Sequence, residues 1–553
     1  MKNPAWMVLG AILVAACSEE ARSSVPLAVE SDAGGAAAAD AASAPDAAVA
    51  PPLGCSSVLT PAMDPVLPAE LAADGPWQRC GAYGSGPAEV VRTSADGSRA
   101  VLVTGSGDAF VLALPGLALV ARFEHGGGRI GYAALSPDGR LLATLDDRAG
   151  TLALWDVETH ALLRSFARPT GWSAYAQDTG DVAFSSTGAH LAASSVTSTE
   201  VYDVATGAVH AIPDAWGASK VAFLNGDTRL ALMRYTFWGN GPYIGTYHAE
   251  VVDADTGANR VVLPLEYFYM IPSTMAASRD GRVLAVANYG TEQGIHFFDT
   301  STDTEINQVA IYGELVGLSA DGSRVALVEG YYGDTLAVRR VADGSLVSQV
   351  PTGGARGPIG VTPDLEWALR GAGEPTILSA TSVAEGIEAG RACGEEASGD
   401  ARISRDGTRL VTEGAVWDVA TGARVDEAPP ADTKGMDAKS PDGRLVAEPT
   451  GNGYFVVRDL SSGSPVGRFG PQVSLVRAVD WSADGLFLAS TSDVYPVDRR
   501  STPPLTKVWS RASGQLVQDV PSLETPAVFA PSGLDLFVTG PGSVTRWCRE
   551  EMH

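Results

Sequence analysis

Five cysteines and seven histidines are the residues of this 553-residue chain best suited to metal, redox or nucleophilic chemistry. Their spacing argues against most of it. His125, His160, His190, His210, His248, His296 and His553 are scattered, with no His-x-x-x-His pair and no Cys-x-x-Cys, so a zinc site is not supported. His125-Gly126-Gly127-Gly128 could turn backbone N–H groups toward an oxyanion. That chemistry also needs a nucleophile elbow, Gly-x-Ser-x-Gly, and the chain has none. Gly126 to Gly131 fits Gly-x-Gly-x-x-Gly, but no strand–helix–strand unit surrounds it to aim a helix N-terminus at a dinucleotide. Asp253-Ala254-Asp255-Thr256-Gly257 brings two carboxylates together. A calcium ion needs six or more oxygens, so the segment reads as a turn. No catalytic residue, cofactor site or metal site is expected.

Cys17 stands apart from the other cysteines. Lys2 precedes an apolar run from Ala5 to Ala15, too short to span a bilayer, and Val14-Ala15-Ala16-Cys17 follows. These four residues resemble the lipobox of bacterial lipoproteins. The resemblance implies cleavage before Cys17 and acylation of its thiol and new amine, and several acyl chains make a stable anchor. Ser18 at the next position favours the outer membrane, by the same resemblance. Residues 1–17 are therefore expected to be a signal peptide. Residues 18–53 are expected to be a disordered tether, because Ser31 to Pro52 is rich in Ala, Pro and Asp, with no aromatic and little to bury. Such a coil reaches roughly 30 Å.

The elements that would position any site come from a repeat. Ser-x-Asp-Gly between two short apolar runs recurs at Ser94, Ser136, Ser278, Ser319, Ser404, Ser440 and Ser482. Weaker copies start at Ser185, Leu224, Thr362 and Ala530. The mean period of about 44 residues is that of a four-stranded propeller blade. Each Asp is expected to cap its own turn. A second signal, such as Leu154-Trp155-Asp156-Val157 or Val416-Trp417-Asp418-Val419, leads most copies into a Thr-Gly or Ser-Gly turn. The fold expected for 54–549 is an all-β propeller of about eleven four-stranded repeats, as one large ring or two tandem rings split near residue 392.

Trp155-Asp156 and Trp417-Asp418 resemble the WD-repeat dipeptide. Ser136-Pro137-Asp138-Gly139-Arg140-Leu141 and Ser440-Pro441-Asp442-Gly443-Arg444-Leu445 resemble the repeat of TolB-type periplasmic propellers. Fold is what these resemblances imply, since propellers host many functions. The chain has no Gly-His dipeptide, so the His-Trp-Asp hydrogen-bond network of WD repeats is expected to be missing.

Cys55, Cys80, Cys393 and Cys548 remain, in an exported and oxidising setting, and an even count suggests two disulfides. Cys548 falls in the third strand of the last blade, where the chain nearly ends. The segment around Cys80 could supply the missing fourth strand, and a Cys80–Cys548 bridge would lock a single closure. The competing arrangement pairs Cys393 with Cys548 and Cys55 with Cys80, and makes two rings.

One stretch departs from the period. Between Leu224 and Ser278 an insertion carries Tyr235, Phe237, Trp238, Tyr243 and Tyr247. Aromatics on a loop over a rigid scaffold suit recognition; an enlarged hairpin packing on itself is the structural alternative. The formal charge of −26 disfavours nucleic acid and anionic headgroups as partners. The function expected is that of a monomeric, lipid-anchored envelope lipoprotein, not an enzyme, that binds a protein or envelope polymer. A propeller enzyme or cofactor protein of quinoprotein or lactonase type is the competing class.

Overall fold

The computed structural model describes residues 55–549, apart from 62, 64–74 and short connecting segments, the larger being 167–179, 238–244, 266–273, 493–505 and 521–526. Cys17, the signal peptide and the tether lie outside the described residues. The described chain is built from short strands in eleven sheets.

Each sheet is a blade with strands A to D from the ring axis outward. Blade 2 shows how sequence makes one. Ile130–Leu135, Leu141–Asp146, Leu152–Asp156 and Leu162–Phe166 pair as an antiparallel meander. Leu142, Ala143, Leu145, Leu152, Ala153 and Leu154 are all buried, because both faces of a blade pack on neighbours. Such strands read as apolar runs rather than alternations. Ser136 to Gly139 forms the A–B turn, where the Gly139 N–H donates to the Ser136 carbonyl at 2.9 Å and φ is +68°. Asp138 accepts from the Ser136 hydroxyl (2.7 Å) and the Arg140 N–H (3.1 Å), as expected of a capping aspartate. All eleven repeat copies fall at A–B turns.

The seams show how the blades are grouped. Apolar clusters join blades 1 and 2, 2 and 3, 3 and 4, 4 and 5, 5 and 6, and 6 and 7. A seventh cluster, with Val91, Leu102 and Leu112 of blade 1 and Leu369, Leu378 and Ala392 of blade 7, closes the circle. Residues 88–394 are therefore a seven-blade ring. Among the described residues no such cluster joins blades 8 and 9, and the other four blades form an arc. Clusters join blade 9 to 10, 10 to 11 and 11 to 8. Blade 9 turns a half-exposed polar surface with Glu448 and Arg458 the other way. It has three strands, its inner one reduced to a single Lys439–Val446 bridge.

Two N-terminal strands stitch these bodies. β1 (Ser57–Leu59) pairs in parallel with the outer strand of blade 7, Glu388–Gly394. β2 (Trp77–Tyr83) pairs antiparallel with the third strand of blade 11, Ser543–Arg549, and supplies the fourth strand of that blade. Cys80 and Cys548 are disulfide-bonded with Cα atoms 5.8 Å apart, and Cys55 and Cys393 with Cα atoms 5.7 Å apart. Two expectations need correction. The Cys393–Cys548 and Cys55–Cys80 pairing does not occur. Closure through Cys80 also does not produce a single ring: the array splits after blade 7, and β2 completes the arc, because the chain visits the last blade before it enters the first.

Candidate functional site

The two faces of the seven-blade ring differ in what they can present. One face carries the A–B and C–D turns. Six of its seven A–B turns have five residues, as in 94–98 and 319–323. They are bonded into a belt: the Asp96 N–H donates to Pro137 O (2.9 Å), Ala320 N–H to Pro363 O (2.8 Å), and Ser186 N–H to Asp227 Oδ1 (2.7 Å) of the next blade. The hydroxyl of Ser319 and the N–H of Ser323 hold the Asp321 carboxyl down at about 2. With its turn polar groups so committed, this face is scaffold.

The other face carries the B–C and D–A connections, which vary from the short 310–312 to the long 167–180 and 263–274. The aromatic insertion lies here. Arg229–Phe237 and Gly245–Asp253 form a hairpin of nine-residue strands, longer than any other in the ring. Tyr235 is opposite Tyr247 and Phe237 opposite Gly245. Trp238 and Tyr243 lie outside the described residues. At the hairpin's base Glu250 is buried, 2.9 Å from Arg234 Nη1 and paired also with Arg260. Burial works against ionisation of Glu250, but the His248 contact and the two guanidiniums hold its carboxyl below the usual range. The hairpin thus rises from an ion-paired footing on a rigid ring.

Of the glycine-rich loop, Gly126 and Gly127 lie outside the described residues, and its flanking His125 and Gly128 are packed against blade 2. His125 Nε2 lies 2.9 Å from Thr144 Oγ1, to which Trp155 Nε1 donates at 2.8 Å, and Asp146 Oδ2 is 3.9 Å from His125 Nδ1. A Cβ at Gly128 would sit 1.9 Å from Asp146 Oδ2, so any larger residue there would displace the Asp146 carboxyl. The His–Thr–Trp part of the WD-type network expected to be missing is therefore present in blade 2, whereas His125 Nδ1 is too far from Asp146 to hydrogen-bond it. Its histidine enters from the preceding connection after Glu124 instead of after a glycine. Blade 10 builds a variant in which Trp509 Nε1 donates to Ser490 Oγ (2.7 Å) and Gln472 Nε2 takes the place of the histidine. The legible signal was a Thr or Ser on the second strand, two residues beyond the leucine that pairs with the tryptophan of the third. Asp253 Oδ2 accepts from Asn259 Nδ2 (2.7 Å) and its carbonyl from the Gly257 N–H, which makes that segment a C–D turn.

Sequence reasoning missed one polar cluster. Where β2 crosses blade 1, Arg79 Nη2 contacts both oxygens of Asp108, at 3.0 and 3.1 Å, and both side chains are essentially inaccessible. Ser106 donates to Asp108, and Ser106 and Thr104 hydroxyls are 3.0 Å apart. Glu124, 8% exposed, adjoins them. Burial, reinforced by the Asp108 carboxylate, pushes its carboxyl up to about 7, against the pull of Arg79 and Arg122. Glu124 Oε2 and Arg79 Nε have no hydrogen-bond partner. Beside this cluster the two chain crossings run together: Ser85 N–H donates to Glu395 O (2.8 Å), and Ser106 N–H to Ser85 O (2.9 Å). The cluster welds ring to arc. No group of three or more His, Cys, Asp or Glu side chains suited to a metal ion is found among the described residues.

No protein-family model matches the chain, and no curated protein matches it. Among solved structures it is similar to Kuenenia stuttgartiensis hydrazine synthase, at 12% identity and a TM-score of 0.40, over 55% of this chain and 95% of that one.

Proposed function

We propose that the chain is an exported, lipid-anchored envelope lipoprotein, resembling TolB-type propellers in its repeat, whose loop-bearing face binds a protein or envelope polymer without catalysing a reaction. The observation that carries this reading is the asymmetry of the ring. One face spends its polar groups on a belt of capped turns, while the other raises a long aromatic-rich hairpin from an ion-paired base. Recognition surfaces sit on variable loops held by rigid scaffolds. The anchor rests on Val14-Ala15-Ala16-Cys17. Two disulfides fit an oxidising compartment.

Photo-crosslinking in intact cells tests the binding face. A crosslinker at Phe237 should yield discrete adducts, and one at Ser301 on the turn face should yield none. Equal adducts from both, or from Ser301 alone, contradict the assignment. Cys17→Ala should move the protein from the detergent-extracted membrane fraction to the soluble periplasm; membrane retention of that variant removes the anchor from the account.

A further inference from the structure

We propose that the segment around β1 is a thiol-gated strap that holds the seven-blade ring shut at the seam between blades 1 and 7. Every other seam of the ring is crossed by the chain running from one blade into the next, but this one is not. Blade 1 takes all four strands from 88–123 and blade 7 its first four from 359–394, so no strand is shared across the seam.

β1 bridges that gap from outside. On blade 7, Ser57, Val58 and Leu59 pair with Ala392, Cys393 and Gly394, and the Ser56 N–H donates to Arg391 O at 2.6 Å. On blade 1, the Ser57 hydroxyl donates to Leu117 O and accepts from the Leu119 N–H, both at 2.8 Å. The Arg122 guanidinium reaches the Thr60 carbonyl. Leu59, 1% exposed, is inserted into the seam core with Leu102, Leu117, Leu369 and Leu378. The rim beneath is a close backbone contact: a Cβ at Gly390 would fall 2.4 Å from Gly116 O.

A parallel edge strand of three residues is too short to persist alone, since its few hydrogen bonds must offset the entropy of fixing the segment. The Cys55–Cys393 bond supplies what the ladder lacks. Cys55 is exposed and Cys393 half-buried, whereas Cys80, on the closing strand of the arc, and Cys548 are both half-buried, so only the strap bond has an exposed partner. A small dithiol therefore reaches the strap first. Its thiolate attacks one sulfur of the bond, and its second thiol resolves the mixed disulfide. The dithiol leaves as a cyclic disulfide, and its two electrons and two protons remain on Cys55 and Cys393 as thiols. The strap then detaches, the Leu59 pocket opens, and the outer edge of blade 7 is unpaired.

Hydrogen exchange on the full chain, with and without dithiothreitol, tests the strap. After reduction of Cys55–Cys393, peptides covering 57–59, 117–119 and 391–394 should exchange about tenfold faster, with blades 3 to 5 unchanged. Cys55→Ser should reproduce this without reductant. Leu59→Ala, which keeps the disulfide, should raise exchange at 117–119 and 391–394 by a smaller factor. Unchanged exchange in these segments once both thiols titrate free, or an equal rise in all seven blades, overturns the proposal.

Discussion

The ring and the arc are made from one repeat yet hold together differently. The ring is continuous in sequence, and seven apolar clusters, mostly Val, Leu and Ala, fill its seven seams. The arc has three such clusters, and these lean on aromatics: Tyr83, Trp417 and Phe537 at one seam, Phe455, Phe469, Trp481 and Trp509 at another, Trp77, Phe529 and Trp547 at the third. The arc also borrows β2 from the far end of the sequence, and Trp77 and Tyr83 on that strand enter two of its three cores. The same turn chemistry thus serves a ring whose blades are continuous in sequence and an arc that borrows a blade strand, and the difference lies in long-range packing.

That contrast can be broken at several points. The largest effect is expected at the strand both bodies share. Cys80→Ser with Cys548→Ser should destabilise the first of two calorimetric transitions by about 5–6 kcal/mol in the chain-entropy account of so long a loop, and leave the second in place. A single transition moving as a whole would mean that the two bodies unfold together. Next, Asp108→Ala leaves Arg79 buried without its partner at the weld, at a cost of about 3–5 kcal/mol. Equilibrium denaturation measures it, and a loss under about 1 kcal/mol would show the pair to be dispensable. Trp417→Ala should cost the arc about 3–5 kcal/mol through the cavity it leaves.

A smaller effect comes with pH. Glu124 has a folded-state pKa of about 7, above its ordinary value of 4.5. The folded state therefore binds more protons than the unfolded one between these values, and stability contributed by neutral Glu124 is fully present below about pH 4.5 and lost as pH rises through 7. In Glu124→Gln this part of the pH dependence should vanish, measured as the denaturant midpoint from pH 5 to 8; an unaltered slope would place the titration elsewhere. Smallest is Asp321→Ala, which unties one turn of the ring's belt and should cost about 1 kcal/mol.

Much of the fold was legible because its punctuation is local. Ser-x-Asp-Gly fixes a turn through two or three hydrogen bonds within five residues, so each copy announces a blade wherever it stands. Even Thr362, which lacks the serine and glycine of the pattern, kept the spacing. The sequence left open one ring or a split near residue 392 and could not choose between them, because β-strands of blades 7 and 8 look alike until their packed faces are known. The pairing of Cys80 with Cys548 followed from a missing strand. The role of Cys55 did not, since β1 has three residues and no periodicity. The network around Trp155 was obscured for a related reason: its histidine, His125, belongs to the preceding connection rather than to a Gly-His pair. For the candidate site, the sequence marked the aromatic insertion, while the weld at Arg79, Asp108 and Glu124 exists only once distant segments meet.

Disulfide mapping of the native protein by non-reducing peptide analysis is the most direct test of a ring and an arc stitched by one N-terminal segment. Two linked peptides are expected, one joining Cys55 to Cys393 on blade 7 and one joining Cys80 to Cys548 on blade 11. Recovery of Cys393 linked to Cys548, or of Cys55 linked to Cys80, would contradict it.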